Sequence, residues 1–391
     1  MSSSILFDLN TNDNFKKIIN NDCDDDDNII GGLKVKNYTY NGEKYKIINY
    51  DKHILTDDTI KTDGLFRSVV LDENNKIVSF SPIKCISVSQ FYNSIITPNT
   101  ILCEDYVEGS MCNLFYLEKT NCWELSTKTT VGGETSFFKN DDFTDKKTFR
   151  EMFFDAMNFY NMDINNLNKK MCYSYVLQHP LNKFVFNIEN PKLFLVEIYR
   201  INENNTIEVI SKHQIDNKLL LENNSSIFLD YIKSDKYLPD IFETMNLILS
   251  MGMVIKNTTT GERCKIRNPQ YEIMKSLKCN APTLKLNYLH LRKNGKISEY
   301  LDYFPENIEQ FTSYRNRVNN YIHNLFTSYW SHYIFKQNNS LLFYPYLYRI
   351  HMYKLHLLYK TLLKKENKRI TYNFVIQYID NLSVEEQMIL F

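Results

Sequence analysis

Residues 103–133 read CEDYVEGSMCNLFYLEKTNCWELSTKTTVGG. Leu114-Phe115-Tyr116-Leu117 is a short apolar and aromatic run. Trp123-Glu124-Leu125-Ser126-Thr127 is a second, with its large apolar residues alternating. Such runs read as strands, and the polar Glu118 to Cys122 between them has hairpin length. Gly109-Ser110 leads into the first strand; Lys128 and then Gly132-Gly133 follow the second. A glycine where a strand begins lets backbone approach a ligand closely, and a lysine just beyond the neighbouring strand can reach the same ligand. The stretch is either an ordinary hairpin or the mouth of a site, and the surrounding chain has to decide.

Upstream, residues 33–56 alternate strand-like segments with turns, and Asn41-Gly42 has the chemistry of a hairpin turn. Lys61-Thr-Asp-Gly64-Leu-Phe-Arg67 then runs into a strand to Leu71, a turn over Asp72 to Lys76, a strand Ile77 to Phe80 and the loop Ser81-Pro82-Ile83-Lys84. Arg67 and Lys84 therefore sit on or beside adjacent strands of one hairpin. Downstream, residues 146–169 have helical spacing, Tyr173 to Leu177 and Lys192 to Tyr199 read as strands, and residues 217–250 read as helices with polar breaks. Gly252 to Ile255 and Cys264 to Arg267 make a last hairpin. From Tyr271 the spacing is helical throughout: Ile308, Phe311, Tyr314, Val318, Tyr321, Ile322, Leu325 and Tyr329 recur near every 3.6 residues, and Met352, Leu355, Tyr359 and Leu362 form a second stripe. The stripes read as the core of a helical domain. His351 and His356 do not share a helix face and read as surface or satisfied histidines. The expected organisation is a loosely ordered segment over 1–30, a mixed domain over 31–275 and a helical domain over 276–391.

Composition narrows the class. The chain has 391 residues, 43% hydrophobic and 24% charged, which is ordinary for a folded globular protein. Its 46 Lys and Arg balance 46 Asp and Glu, so any polyanion site has to be a local concentration of cations. The eight cysteines form no Cys-x-x-Cys pair, which argues against zinc and against a disulfide framework. No apolar run of spanning length and no signal peptide stand out, so the expectation is a cytoplasmic, reducing compartment with no membrane partner. The acidic run Asp24 to Asp27 reads as a polar loop.

Five cations stand at strand ends in the mixed domain: Arg67, Lys84, Lys128, Lys265 and Arg267. If the strands fold into facing sheets, they can converge on one cleft and bind phosphates; Lys265 and Arg267 alternate onto one face, as a phosphate clamp requires.

The order of elements from about residue 64 to 267 resembles the phage-type ATP-dependent RNA ligases, in the covalent nucleotidyltransferase superfamily with DNA ligases and mRNA capping enzymes; the helical remainder is similar to the C-terminal half of viral members. The family's upstream arginine falls on Arg67, its Arg-Pro-x-x-Lys element on Ser81-Pro82-Ile83-Lys84, and its Lys-x-Asp-Gly-Ser on Tyr106-Val107-Glu108-Gly109-Ser110. Its Ser-Lys-Gly-Ser element falls on Thr127-Lys128-Thr129-Thr130, its Pro-x-Asn-Arg on Pro180-Leu181-Asn182-Lys183, its Glu-Gly-φ-Val on Met251-Gly252-Met253-Val254, and its Lys-φ-Lys on Lys265-Ile266-Arg267. The resemblance implies an α+β nucleotidyltransferase (RNA/DNA ligase-like) domain of antiparallel sheets with flanking helices, followed by an all-α C-terminal domain.

The departures bear on function. In the family the motif lysine attacks ATP and forms a lysyl-nucleotide; Tyr106 holds that place here. Met251 and Val176 fall where the family carries glutamates that support a divalent metal, and apolar side chains cannot ligate one. The resemblance therefore implies a pseudoenzyme, with no catalytic residue, no metal and no required cofactor, that binds RNA, including an mRNA 5′ end or cap, or a nucleotide, through Arg67, Lys84, Tyr106, Glu108, Gly109, Lys128, Lys183, Lys265 and Arg267. A second register stays open: Lys61-Thr62-Asp63-Gly64 resembles the capping-enzyme motif, with Glu108-Gly109 as a later element. It implies an active RNA ligase or guanylyltransferase using Lys61 with ATP or GTP and Mg2+. A third reading makes the chain an interaction module, its helical domain binding a protein partner.

Overall fold

The computed structural model describes residues 5–20, 29–93, 100–136, 147–212, 226–229, 251–279, 281–338 and 340–390. The chain divides into two compact units, 1–273 and 274–391.

The first unit is built on three antiparallel sheets. Five strands lie in the order β2 (Ile29–Ile30), β3 (Leu33–Tyr40), β4 (Glu43–Tyr50), β5 (Arg67–Leu71) and β6 (Ile77–Ser79). Six lie in the order β1 (Leu6–Asp8), β12 (Thr206–Ile210), β11 (Lys192–Ile201), β10 (Met171–Gln178), β8 (Ser110–Leu117) and β9 (Cys122–Ser126). Four lie in the order β13 (Ser226–Leu229), β7 (Ile101–Asp105), β14 (Gly252–Asn257) and β15 (Arg263–Arg267). This is the expected antiparallel α+β architecture.

Residues 103–133 hold two of these sheets together. β8 and β9 pair in the register Leu114↔Leu125 and Tyr116↔Trp123, the hairpin read from the alternation. The strand before it, β7, belongs to a different sheet, so the chain crosses between sheets over Tyr106 to Gly109. Gly109 makes the turn possible. Its φ is +149°, and a Cβ there would lie 2.4 Å from the Leu177 carbonyl oxygen. The glycine therefore serves the approach of β10 rather than of a ligand.

Period-two alternation sorts the side chains. On β14 and β15, Met253, Ile255, Cys264 and Ile266 face an apolar cluster with Ile101, Cys103 and Phe91, while Val254, Arg263 and Lys265 face a cleft on the other side. Helix α2 (Val88–Asn93) contributes Phe91 to the apolar cluster. Helix α3 (Phe149–Phe159) starts at a capping box, Thr148 with Glu151, and buries Met152, Phe153, Ala156 and Met157. The helical spacing expected to Lys169 ends sooner: Phe159 closes α3, and Ile164–Asn166 is a short 3-10 turn.

Two expectations change. The segment 1–30 is not loosely ordered where it is described. β1 pairs with β12, and helix α1 (Asp13–Ile19), capped by Asn12, buries Phe15 and Ile18. Phe15 packs 5.1 Å from Phe66, ring to ring, and burying such a side chain contributes about 1.5–3 kcal/mol. Asp24 to Asp27 lie outside the described residues. Of the helices expected over 217–250, Ser226–Leu229 instead forms a strand on β7, and the rest lies outside the described residues.

The second unit contains helices, taking in the last part of α4 (Pro269–Lys278), then α5 (Leu284–Lys293), α6 (Ile297–Tyr303), α7 (Ile308–Tyr329), α8 (Tyr346–Thr361), α9 (Tyr372–Asn381) and α10 (Val384–Leu390). Phe311, Val318, Tyr321, Ile322, Leu325 and Tyr329 are buried along α7, as their spacing requires. His351 hydrogen-bonds the Tyr378 hydroxyl and His356 stacks on Tyr333, so both histidines are satisfied. Among the described residues, no helix is long and apolar enough to cross a membrane.

Candidate functional site

The first unit has a cleft of about 460 Å³ lined from all three of its sheets. β5 supplies Arg67, the crossover supplies Tyr106 and Gly109, and the turn after β9 supplies Lys128. β15 supplies Arg263 and Lys265, while Val176 of β10 and Met251 complete an apolar part of the wall. Buried hydroxyls and an amide fix the floor: Asn113 donates to Ser81 at 2.7 Å and accepts from Ser174 at 2.7 Å.

Lys265 and Tyr106 form the centre. The Lys265 ammonium donates to the Tyr106 hydroxyl at 2.9 Å and lies 4.1 Å from its ring centroid. Burial, aided by repulsion from Arg67, Arg263 and Lys84, pushes the Lys265 amine down to about 7; nearby Cys85 acts the other way. Partial burial and the cations Arg67, Lys52 and Lys84 also lower Lys128.

Beneath them is a buried ionic network. Glu104 pairs with Lys212 at 2.7 Å and Lys256 at 2.6 Å, Glu197 with Lys256 at 3.0 Å and Arg263 at 3.6 Å. Burial alone would raise Glu104, but the two lysines hold it down to about 2. Three cations thus face two carboxylates, one positive charge in excess. Arg263 is 4% exposed, and its Nε and Nη1 have no hydrogen-bond acceptor among the described residues. A buried guanidinium with open donors at the edge of a cleft is a binding group for an anion.

The structure brings Arg67, Tyr106, Gly109, Lys128 and Lys265 to this cleft. Lys84 stands beside it, close enough to repel Lys128 and Lys265, and lies over the Tyr50 ring at 5.9 Å. Four expected residues are elsewhere. Glu108 turns inward: its carboxylate accepts from the Val185 and Phe186 amides at 2.6 and 3.0 Å and from the Tyr271 hydroxyl at 2.8 Å. It anchors a loop rather than a ligand, because a carboxylate at 3% exposure must be fully hydrogen-bonded. Lys183 is exposed and donates to Asn187 at 2.8 Å. Arg267 shares a face with Lys265 but lies past the cleft wall, paired with Glu272 at 2.9 Å. Lys61 is on the surface, paired with Glu262 at 2.7 Å.

Sequence reading missed Arg263, Lys256, Glu104 and Glu197. Arg263 had a signal: the alternation of Lys265 and Arg267 extends one step upstream, and starting the strand at Cys264 cut it off. The other three are matched by partners far along the chain, which no local spacing announces.

No family model and no curated protein matches the chain. Among solved structures, it is similar to an Aquifex aeolicus protein assigned as an ATP-dependent DNA ligase (14% identity, 76% of each chain covered, TM-score 0.42). It is also similar to an archaeal ATP-dependent RNA ligase (11% identity, 72% of this chain and 68% of that one, TM-score 0.41) and to a Naegleria gruberi RNA ligase with pyrophosphate (10% identity, 49% and 57%, TM-score 0.36). At TM-scores this low the likenesses carry no functional reading; the cleft has to carry it.

Proposed function

We propose that the first unit is an RNA-ligase-like scaffold that binds the phosphates of RNA, at a 5′ end or cap, or of a nucleotide, without forming a lysyl-nucleotide. The observation that carries this reading is the buried Arg263 guanidinium, with open donors, in a cleft also lined by Lys265, Arg67 and Lys128. An anion there would satisfy donors and neutralise charge at once. Tyr106 offers a ring on which a base can stack.

The absence of nucleotidyl transfer in this reading rests on three positions. Tyr106, Val176 and Met251 all line the cleft, where the resemblance implies the nucleophilic lysine and two metal-supporting glutamates. A phenol does not form the lysyl-nucleotide, and valine and methionine do not fit a divalent cation. The exposed, paired Lys61 argues against the capping-type register.

The test is a pair of measurements on the full chain. Fluorescence anisotropy with 5′-phosphorylated single-stranded RNA should show binding that weakens with salt. Arg67→Ala with Lys128→Ala should weaken it for every sequence and reduce the salt slope by about 0.7 for each phosphate left without its cation. Incubation with labelled ATP or GTP and Mg2+ should leave no label on the protein in a denaturing gel; a labelled band that disappears in Lys61→Ala would sink the non-covalent reading.

The helical unit favours a second reading. Tyr346, Ile350, Tyr353 and Leu357 form an exposed apolar stripe along α8, which suits a protein partner.

A further inference from the structure

Lys265 does not have the surroundings of a surface lysine. β15 carries it into the cleft wall with Arg263 on its own strand, Arg67 facing it from β5, and Lys84 and Cys85 beyond β6. Tyr106 contacts it from the crossover, and Lys128 lines the same cleft. Among the described residues no ion pair reaches it. Glu104, the nearby carboxylate of the buried network, is held by Lys212 and Lys256. An ammonium placed there is desolvated and crowded by like charges, and the amine, held down to about 7, is half neutral at pH 7. An ordinary lysine is neutral at that pH in only on the order of one molecule in a thousand.

We propose that Lys265 is the cleft's nucleophile and that it attacks the carbonyl carbon of small phosphorylated aldehydes and ketones. The Nζ lone pair forms the C–N bond. The carbonyl oxygen takes up the protons and leaves as water, and the product is an imine between Lys265 and the former carbonyl carbon. Arg67, Lys128 and the open donors of Arg263 hold the phosphate, and Tyr106 positions the amine through the 2.9 Å hydrogen bond. The phosphate requirement rests on the anion-binding reading above; the reactivity of the amine does not.

Two probes separate the parts. The full chain is treated at pH 7 with sodium cyanoborohydride and either formaldehyde or pyridoxal 5′-phosphate, and the modified peptides are mapped by mass spectrometry. Formaldehyde reports the amine alone, and the phosphorylated aldehyde reports amine and anion site together. Lys265 should be modified at least about ten times faster than Lys61, as its neutral fraction requires. Its rate should rise with pH and level off above about 7. Pyridoxal 5′-phosphate should label Lys265 faster than pyridoxal does, and inorganic pyrophosphate should slow it. Lys265→Arg should remove the label while circular dichroism stays unchanged. Formaldehyde labelling of Lys265 no faster than of Lys61 overturns the nucleophile. Fast formaldehyde labelling with no advantage for the phosphorylated aldehyde overturns the substrate class and leaves the reactive amine.

Discussion

Lys265 and Glu104 line one cleft, and each makes stability rise with pH, in different windows. The Lys265 amine is lower in the folded chain, about 7, than an unfolded lysine. Between about pH 7 and 10 the unfolded chain therefore binds more protons, and stability at this site rises with pH. Lys265→Met should raise the urea midpoint at pH 6 and change it little at pH 10, where the folded chain carries the amine neutral. Glu104 has the same sign in an acidic window. Its folded value, about 2, lies below the ordinary 4.5, so its stabilisation is full above pH 4.5 and drains away as the pH falls toward 2. Glu104→Gln leaves Lys212 without a carboxylate and Lys256 with Glu197 alone; it should cost about 3–5 kcal/mol at pH 7, and its stability should fall less steeply than wild type between pH 4.5 and 2. Chemical denaturation from pH 2 to 7 reads both effects. Of these two residues only Lys265 was legible in the sequence, because alternation with an apolar neighbour reveals a strand face. Glu104 carries no local signal, because Lys256, which pairs with it, lies far along the chain.

At the scale of elements, the crossover from Tyr106 to Gly109 does most to shape the cleft. The sequence showed its hairpin and marked Gly109 as special, but attributed the glycine to a ligand. The structure gives the space to the Leu177 carbonyl of β10, an approach set by sheet pairing that local sequence does not encode. Gly109→Ala should therefore cost about 2 kcal/mol or more from strain and collision, and hydrogen exchange should quicken first in the β8–β10 pairing. Helix α8 was legible on its buried side only. Met352 and Leu355 are fully buried as their spacing requires, whereas Leu362, expected in the same stripe, is 56% exposed. Leu355→Ala should cost about 2–5 kcal/mol. Ile350→Lys with Leu357→Lys on the exposed stripe should change the unfolding free energy by less than about 1 kcal/mol, which thermal melts can separate cleanly.

At the scale of the whole molecule, the mixed part and the helical part were legible from the switch between the two periodicities. The N-terminal strand and helix were not. Leu9, Phe15 and Ile18 are too few and too widely flanked by polar residues to announce a buried face, yet all are buried. The excess positive charge of the ionic network has a consequence for the molecule as a whole. A fold that keeps a buried guanidinium with open donors makes its stability a function of what the solution contains. Polyphosphate at a hundred times its dissociation constant should add about 2.7 kcal/mol to the unfolding free energy, with the gain diminished in Arg67→Ala. In a melting experiment without any assay of activity, the chain would act as its own ligand sensor, ranking candidate anions by how far each moves its melting temperature.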